Sequence, residues 1–190
     1  MMTTFVVDLV PQQTAMSCWA ASVTMIQSWA QQTCIDPATL TDIPGFQDAY
    51  ERNGLDLTSA RNALTTWGLV TEAPQDYTAQ GFLDLLNQYG PIFIAANVGT
   101  DSQIANHARV ITGFDMDQDT VYINDPWGAN MSNFVPSNPG QQYTMTYEAL
   151  LEQMDSLASA IYKNVENNDP TNPLTDLAFV AHLPQRPANI

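Results

Sequence analysis

The spacing of apolar residues changes after Pro91, and this change separates a mainly helical part of the chain from a part with several strands. In the first part, apolar side chains recur every three to four residues, which is the pattern of an amphipathic helix. This pattern covers three segments, residues 18–32, 58–67 and 78–89. After Pro91 the apolar residues instead form short runs, which are typical of β-strands. The runs lie at residues 92–98, 107–114 and 120–124.

Helix-capping residues and polar turns mark where these elements begin and end. Asp36 and Pro37 predict the start of a short helical turn, because aspartate caps free amides and proline suits the first helical position. Gly68 and Gly90 predict the ends of two helices. The polar residues 115–119 predict a tight connection between the second and third strands, so these strands are expected to pair as an antiparallel hairpin.

Weaker patterns predict further elements at both ends of the chain. They are a strand at 5–9, a helix at 146–154, a strand at 159–162 and an added edge strand at 177–181. The stretch 164–173 is polar and contains proline, so it is predicted to be a loop. Helices followed by strands indicate an α+β fold, with an N-terminal helical part packed on a C-terminal antiparallel sheet. We expect one domain over residues 1–163 and a C-terminal extension over residues 164–190.

The charge of the chain argues against several classes of partner. Its 190 residues include 20 acidic and five basic side chains, for a formal net charge of −15. Phosphate contacts need basic groups, and the five basic residues do not cluster, so we expect neither nucleic-acid binding nor docking on an anionic membrane. No apolar run is long enough to span a membrane, and the N-terminus lacks the basic segment of a signal peptide. Such acidity suits solubility, or a basic protein partner.

Cys18 is the main candidate for chemistry, because it stands where a loop meets an apolar helix. The first amides of a helix carry partial positive charge and have no internal partner, so they stabilise a thiolate. Gln12 stands six residues earlier and is a candidate donor to the oxyanion that forms when a thiolate attacks a carbonyl. A buried structural thiol is the alternative role for Cys18. Cys34 lies beyond the same helix, whose length keeps the two sulfurs too far apart for a disulfide, so we expect free thiols in a reducing compartment.

A thiol nucleophile needs a base, and the chain contains two histidines, His107 and His182. His107 starts a predicted strand after a polar segment, whereas His182 lies in a short apolar stretch that suits a packing or surface role. In the predicted hairpin, the start of one strand lies beside the end of the next, which brings His107 near Asp125. A carboxylate there would orient the imidazole and stabilise its charged form. Asn124 is the rival orienter, but strand alternation points it to the other face.

The residues that suggest a metal do not form a complete site. The alternating aspartates within 115–119 match the start of a calcium loop, but Thr120 and Pro126 stand where that loop needs glycine and glutamate. No cysteine–histidine group has the spacing of a zinc site. We therefore predict no metal and no cofactor.

Four short blocks carry these candidate residues in one order along the chain. They are Gln12 with Cys18-Trp19-Ala20-Ala21, then Gly90-Pro91-Ile92, then His107-Ala108-Arg109-Val110-Ile111-Thr112-Gly113, then Tyr122-Ile123-Asn124-Asp125-Pro126-Trp127. Together they resemble the papain-like cysteine peptidases, most closely the bacterial branch that contains the AvrRpt2-type effector proteases and the C39 peptidases of bacteriocin transporters. The resemblance covers about residues 5–163. Arg109 departs from the family pattern, in which histidine is followed by an Ala-Val type of sequence.

By this resemblance Cys18 is the nucleophile, His107 the base and Asp125 the orienter, while Gln12 is the oxyanion donor. The resemblance implies a papain-like fold and a cysteine endopeptidase that cleaves a protein substrate, with small residues such as Gly-Gly at the cut. It also implies a protein that is cytoplasmic in the producing cell and is delivered into another cell by a specialised secretion system. Such a protein would be a bacterial effector or an interbacterial toxin, and a toxin would have a cognate immunity protein that blocks it. Two alternatives remain open, a deamidase or peptidoglycan amidase with the same triad and a catalytically inert binding module.

Overall fold

An antiparallel sheet of seven strands organises the described part of the protein. The structure is a computed structural model that describes residues 1–100, 103–128, 139–168 and 178–188. The strands are β1 (Met2–Thr4), β2 (Val70–Thr71), β3 (Ile92–Asn97), β4 (Asn106–Asp115), β5 (Thr120–Asp125), β6 (Gln141–Met145) and β7 (Val180–His182). They pair in the order β2–β7–β3–β4–β5–β6, and β1 pairs with the C-terminal end of β4.

Helices pack against this sheet and confirm the predicted α+β class. They are α1 (Cys18–Gln31), α2 (Leu57–Thr66), α3 (Ala79–Tyr89) and α4 (Tyr147–Asn168). A 3₁₀ helix at Pro37–Asp42 and a short π-helical turn at Ala49–Asn53 connect α1 to α2. α1 lies against β4 and β3, and α4 lies mainly against β3. Among the described residues, no helix combines the length and the apolar character needed to cross a membrane.

The predicted helix boundaries agree with the capping bonds. Asp36 accepts a hydrogen bond from the Ala38 amide at 3.0 Å at the start of the 3₁₀ helix. Thr78 accepts one from the Gly81 amide at 3.1 Å at the start of α3. Gly90 follows the last residue of α3 with a positive φ of 87°. The sequence-based boundaries of these elements are therefore confirmed.

The predicted hairpin is confirmed and determines the position of the candidate site. β4 and β5 pair antiparallel up to Val110 opposite Asn124. Because the two strands run in opposite directions, His107 near the start of β4 and Asp125 at the end of β5 lie at the same end of the hairpin.

The strand predicted at residues 5–9 is wrong, because this segment is irregular backbone that follows β1. Beyond the Phe5 amide, which donates to the Thr112 carbonyl of β4 at 2.7 Å, Phe5 and Val7 are held by side-chain packing, whereas Val6 is exposed. The Phe5 ring meets the Trp29 ring edge-on at 5.4 Å between centroids, and Val7 is buried. An apolar run of this length indicates burial, but it does not reveal whether a neighbouring strand is available to pair with it.

The strand predicted at residues 159–162 is also wrong, because these residues are part of α4. Leu150, Met154 and Leu157 are buried along α4, and Ile161 continues their spacing of three to four residues against the core. The helical period therefore continues beyond the predicted end of the helix at 154.

The C-terminal extension is joined to the rest of the protein by a helix. The boundary predicted between 163 and 164 falls inside α4, which ends at Asn168. Residues 164–168 of the predicted loop are helical, and its remaining residues lie outside the described part of the chain.

β7 is an internal strand of the sheet, so the predicted edge position is wrong. Ala181 of β7 lies opposite Phe93 of β3 on one side and opposite Thr71 of β2 on the other. β2, the strand that pairs with the outer side of β7, has only two residues and shows no alternation of apolar and polar positions. The sequence therefore contained no pattern from which this partner could be predicted.

Replacing Gly90 with alanine is expected to lower the free energy of unfolding by about 2 to 5 kcal/mol. A β-carbon at Gly90 would lie 2.5 Å from the Trp29 ring, and the φ of +87° is itself unfavourable for alanine. Gly45 is the matched control, because its φ is +97° and a β-carbon there would meet nothing within 4 Å. We expect about 1 to 2 kcal/mol for Gly45→Ala. Equal losses for the two variants in chemical denaturation would contradict the contact with Trp29.

Candidate active site

The candidate nucleophile is the first residue of α1 and follows a tightly hydrogen-bonded loop. The Ser17 hydroxyl accepts hydrogen bonds from the amides of Gln13 and Thr14 at 3.2 and 3.0 Å. It therefore holds the loop, and Ser17 makes no side-chain bond that caps the helix. The first-turn amides are left to stabilise an anion at the partly exposed Cys18, and the Trp19 amide hydrogen-bonds to its sulfur.

His107 lies between the candidate nucleophile and a carboxylate. Its ring is buried, with 1% of the residue exposed, and its Nε2 lies 2.7 Å from Asp125 Oδ1. The same imidazole is hydrogen-bonded to the Cys18 thiol. Since Nε2 faces the carboxylate, Nδ1 is the nitrogen available to the sulfur. The Trp127 ring stands edge-on to the imidazole at 6.3 Å between centroids.

The Asp125 carboxylate is held from several directions at the end of β5. Its Oδ1 accepts hydrogen bonds from the backbone amides of Trp127 and Gly128 at 2.9 and 3.2 Å, in addition to its contact with His107. Its Oδ2 accepts a hydrogen bond from the Tyr143 hydroxyl at 3.2 Å. The turn after β5 therefore supplies two donors that stabilise the ionised carboxylate.

The three side chains shift one another's pKa. Burial alone would raise the pKa of the Cys18 thiol, but the hydrogen bond and the charge of His107 lower it below its ordinary value. Burial alone would lower the pKa of His107, but hydrogen bonds and charges from Asp125 and Cys18 raise it to about 9. Burial alone would raise the pKa of Asp125, but His107 and the two turn amides lower it. These directions favour a thiolate, an imidazolium and a carboxylate near neutral pH.

Gln12 lies in the loop before Cys18 and beside the turn after Asp125. Its backbone amide donates to the Pro126 carbonyl at 3.0 Å, and 2% of the residue is exposed. Its side-chain Nε2 donates to the Thr14 carbonyl at 2.8 Å. A primary amide carries two donor hydrogens, so one of them remains for a further acceptor. The Gln12 Oε1 has no hydrogen-bond partner among the described residues.

A largely apolar cavity of about 520 Å³ opens beside Cys18 and His107. Most of its side chains lack polar groups, and they include Met16, Leu55, Phe93, Ala95, Val98 and Ile104. Trp127 forms another part of the wall. Such a lining favours an apolar group, because a polar group would lose its water without gaining a partner.

The other residues considered from the sequence have roles elsewhere. Both ring nitrogens of His182 are engaged, with Glu72 at 2.8 Å and the Leu183 carbonyl at 2.6 Å, and the ring stacks on Tyr89. This geometry matches its packing alternative.

Asn124, the rival orienter, donates instead to the Val7 carbonyl at 2.9 Å, on the other side of the strand from Asp125. Cys34 is exposed and, like Cys18, is a free thiol.

Two residues of the site region were missed by sequence reasoning. Tyr143 contacts Asp125 from β6, a strand that has no counterpart among the predicted elements. In the sequence Arg109 stands out only as a departure from the family pattern, although it lies two residues after His107 and therefore on the same face of β4.

No group of three or more His, Cys, Asp or Glu residues that could hold a metal ion is present within the described ranges. The side chains of Cys18, His107 and Asp125 are of the types used in nucleophilic and acid–base chemistry.

The chain is similar to a known protein family over most of its length. Residues 2–139 match the family described as papain-like cysteine protease AvrRpt2, and this match includes Gln12, Cys18, His107 and Asp125. A solved structure from work on the limited antibody cross-reactivity between the mite allergens Blo t 1 and Der p 1 is 15% identical, with a TM-score of 0.42. That likeness covers 73% of this chain and 67% of that chain, and it is too distant to support an inference about function. No curated protein sequence matches the chain.

Proposed function

Because the chain belongs to the AvrRpt2 family of papain-like cysteine proteases, we propose that it cleaves a target protein with Cys18, His107 and Asp125 as its catalytic triad. The enzyme class and the papain-like fold follow from the family. The roles of the individual residues are our proposal. The observation that carries it is the buried His107, which hydrogen-bonds Asp125 at 2.7 Å and also hydrogen-bonds Cys18.

The proposed reaction begins with the thiolate–imidazolium pair. The Cys18 sulfur attacks the carbonyl carbon of the scissile peptide bond, and the carbonyl oxygen becomes an oxyanion. The second Nε2 hydrogen of Gln12 and the Cys18 amide donate to this oxyanion. His107 gives its proton to the leaving amine as the carbon–nitrogen bond breaks, which leaves a thioester on the enzyme.

The second half of the reaction removes the thioester. Neutral His107 accepts a proton from water, and the resulting hydroxide attacks the thioester carbon. The carbon–sulfur bond then breaks, which restores the thiolate beside the imidazolium and releases a carboxylic acid that loses its proton to solvent. Asp125 holds the imidazole orientation through both halves and stabilises its charged form.

The apolar cavity supports a preference in the substrate. We propose small residues, such as Gly-Gly, at the cut itself, where Cys18 and Trp127 both line the opening. An apolar side chain next to the cut would fill the cavity formed around Phe93 and Val98. A charged side chain there would be desolvated without a partner.

We propose that the protein acts in a cell other than the one that makes it, as a bacterial effector or an interbacterial toxin. This setting is supported by the resemblance to AvrRpt2-type effectors. The proposal includes delivery by a specialised secretion system and, for a toxin, a cognate immunity protein that blocks the site. The net charge of −15 is compatible with a basic protein partner of this kind.

Mass spectrometry of treated proteins tests the proposed activity against its alternatives. A lysate incubated with the purified protein should gain new protein N-termini that are absent with Cys18→Ala. A mass gain of about one dalton at glutamine without chain cleavage would identify a deamidase, and release of fragments from purified peptidoglycan would identify an amidase. No chemical change with any substrate, together with an ordinary thiol pKa near 8.5 for Cys18, would identify the inert module.

A further inference from the structure

Arg109 is a buried cation on β4, with 1% of the residue exposed. No carboxylate among the described residues lies within salt-bridge distance of it, and its Nε has no hydrogen-bond partner there. A buried charge is costly unless nearby groups compensate it. The hydrogen-bond partners of its guanidinium group therefore indicate the role of this buried charge.

The guanidinium group is connected to the candidate triad through one tyrosine. Arg109 Nη1 donates to the Tyr143 hydroxyl at 2.8 Å, and the Tyr143 hydroxyl lies 3.2 Å from Asp125 Oδ2. Arginine has no acceptor, so the tyrosine oxygen must accept the bond from Arg109. The single hydroxyl proton is then left for Asp125. The hydrogen bonds thus run in one direction, from the cation to the carboxylate.

We propose that Arg109 and Tyr143 are positioning residues that orient the Asp125 carboxylate for the hydrolytic reaction. This inference rests on the proposed function. Asp125 Oδ1 is held by His107 and two backbone amides, whereas Oδ2 accepts its hydrogen bond from the Tyr143 hydroxyl. The terminal torsion of an aspartate is soft, so the bond at Oδ2 selects the rotation that keeps Oδ1 aimed at the imidazole.

The arrangement of the strands explains why these residues meet. His107 and Arg109 are two residues apart on β4 and share a face. Continuing the register of β4 and β5 by one residue beyond Val110 and Asn124 places Arg109 opposite Asp125. Tyr143 lies on β6, the next strand of the sheet, opposite Ile123. Three neighbouring strands therefore deliver base, carboxylate, tyrosine and cation to one face.

The charges around Asp125 are consistent with this role. Two titratable groups, His107 and Tyr143, contact Asp125 directly. Two more, Cys18 and Arg109, contact those neighbours. Burial raises the pKa of the Tyr143 hydroxyl although Arg109 acts to lower it, so the hydroxyl keeps its proton and can donate.

A purely structural role is the alternative for Arg109. Its Nη2 also donates to Gln153 Oε1 on α4 at 2.6 Å, so the side chain joins the sheet to this helix. A structural role predicts loss of stability when either partner changes. A positioning role predicts that only the tyrosine partner affects the chemistry of Cys18 and His107.

The test is Tyr143→Phe, read out by the rate of Cys18 alkylation with iodoacetamide across pH and by cleavage kinetics. We expect kcat to fall about tenfold with KM unchanged, because one hydrogen bond to a charged group is lost. The pH of half-maximal alkylation should move up toward that of an ordinary thiol, because a misaligned Asp125 supports the imidazolium less well. Arg109→Gln should shift the profile the same way, and much less in the Tyr143→Phe background.

Two matched controls separate positioning from stability. Tyr147→Phe removes another buried hydroxyl, which donates to the Tyr77 carbonyl at 2.9 Å, and Gln153→Leu removes the other partner of Arg109. Both should lower the melting temperature and leave the alkylation profile unchanged.

An unchanged profile and kcat in Tyr143→Phe would overturn this inference and leave the proposed function intact. An ordinary thiol titration in the unmodified protein would overturn both.

Discussion

Replacing Cys18 with alanine is expected to abolish peptide cleavage and to leave the free energy of unfolding nearly unchanged. The change removes the sulfur that forms the thioester, so kcat should fall on the order of 10⁶-fold, as for loss of the nucleophile from other triads. Cys18 is partly exposed at the first position of α1, where alanine is compatible with a helix. An assay of the cleavage of a susceptible protein checks the loss of activity. Thermal unfolding of the same preparation checks that stability is unchanged.

Cys34→Ala is the matched control for this prediction. Cys34 is the other free thiol, is exposed and has no contact with the triad among the described residues. The Cys34→Ala variant should retain full cleavage activity and an unchanged free energy of unfolding. Cleavage that survives in Cys18→Ala would show that another group is the nucleophile. Loss of folding in Cys18→Ala would mean that the sulfur has a structural role instead.

Replacing His107 with alanine is expected to raise the pKa of Cys18 and to reduce kcat by about 10⁴-fold or more. The hydrogen bond and the charge of His107 are the main causes that lower the thiol pKa, so their loss leaves burial to raise it. In the unmodified protein the thiolate–imidazolium pair exists above the lowered pKa of Cys18 and below the pKa of His107, which is about 9. Cys18 should therefore still react with iodoacetamide at pH values below the ordinary pKa of a thiol, and the His107→Ala variant should not react at those pH values.

His182→Gln is the matched control for the base. It changes the second histidine of the chain, whose ring contacts Glu72 and Tyr89 instead of the candidate site. This variant should be less stable, because the hydrogen bond to Glu72 and a stacking contact are altered, but the alkylation profile of Cys18 should not move. If His107→Ala leaves that profile unchanged, the ion pair and the proposed mechanism are both incorrect.

Most of the candidate site could be predicted from the sequence because its parts have local signatures. The loop-to-helix junction identified Cys18, and the polar turn at 115–119 identified a hairpin. A hairpin places the ends of its strands together whatever surrounds it, so the proximity of His107 and Asp125 could be predicted without a tertiary structure. The residue roles come from the family resemblance, and the Cys18→Ala and His107→Ala variants test them.

The helix ends could also be predicted from local signatures. The two wrongly predicted strands have a common cause. Capping residues near Asp36 and Gly90 define helix ends through bonds to adjacent backbone, which is a local effect. The segments 5–9 and 159–162 contain apolar residues that pack against the core, such as Val7 and Ile161, but the sequence does not reveal which elements they pack against. Their apolar residues suit a strand, a helix or an irregular segment equally well until the neighbours are known.

The sequence by itself therefore determined the α+β class, the main helices and the hairpin that carries His107 and Asp125, because each depends on periodicity or on contacts between near neighbours in the chain. Only the tertiary structure decided that β7 lies inside the sheet and that Arg109 reaches Asp125 through Tyr143. Tyr143 lies 34 residues after Arg109, so its contact depends on strand order and register. Those are settled only when the whole core packs, and no local pattern encodes them.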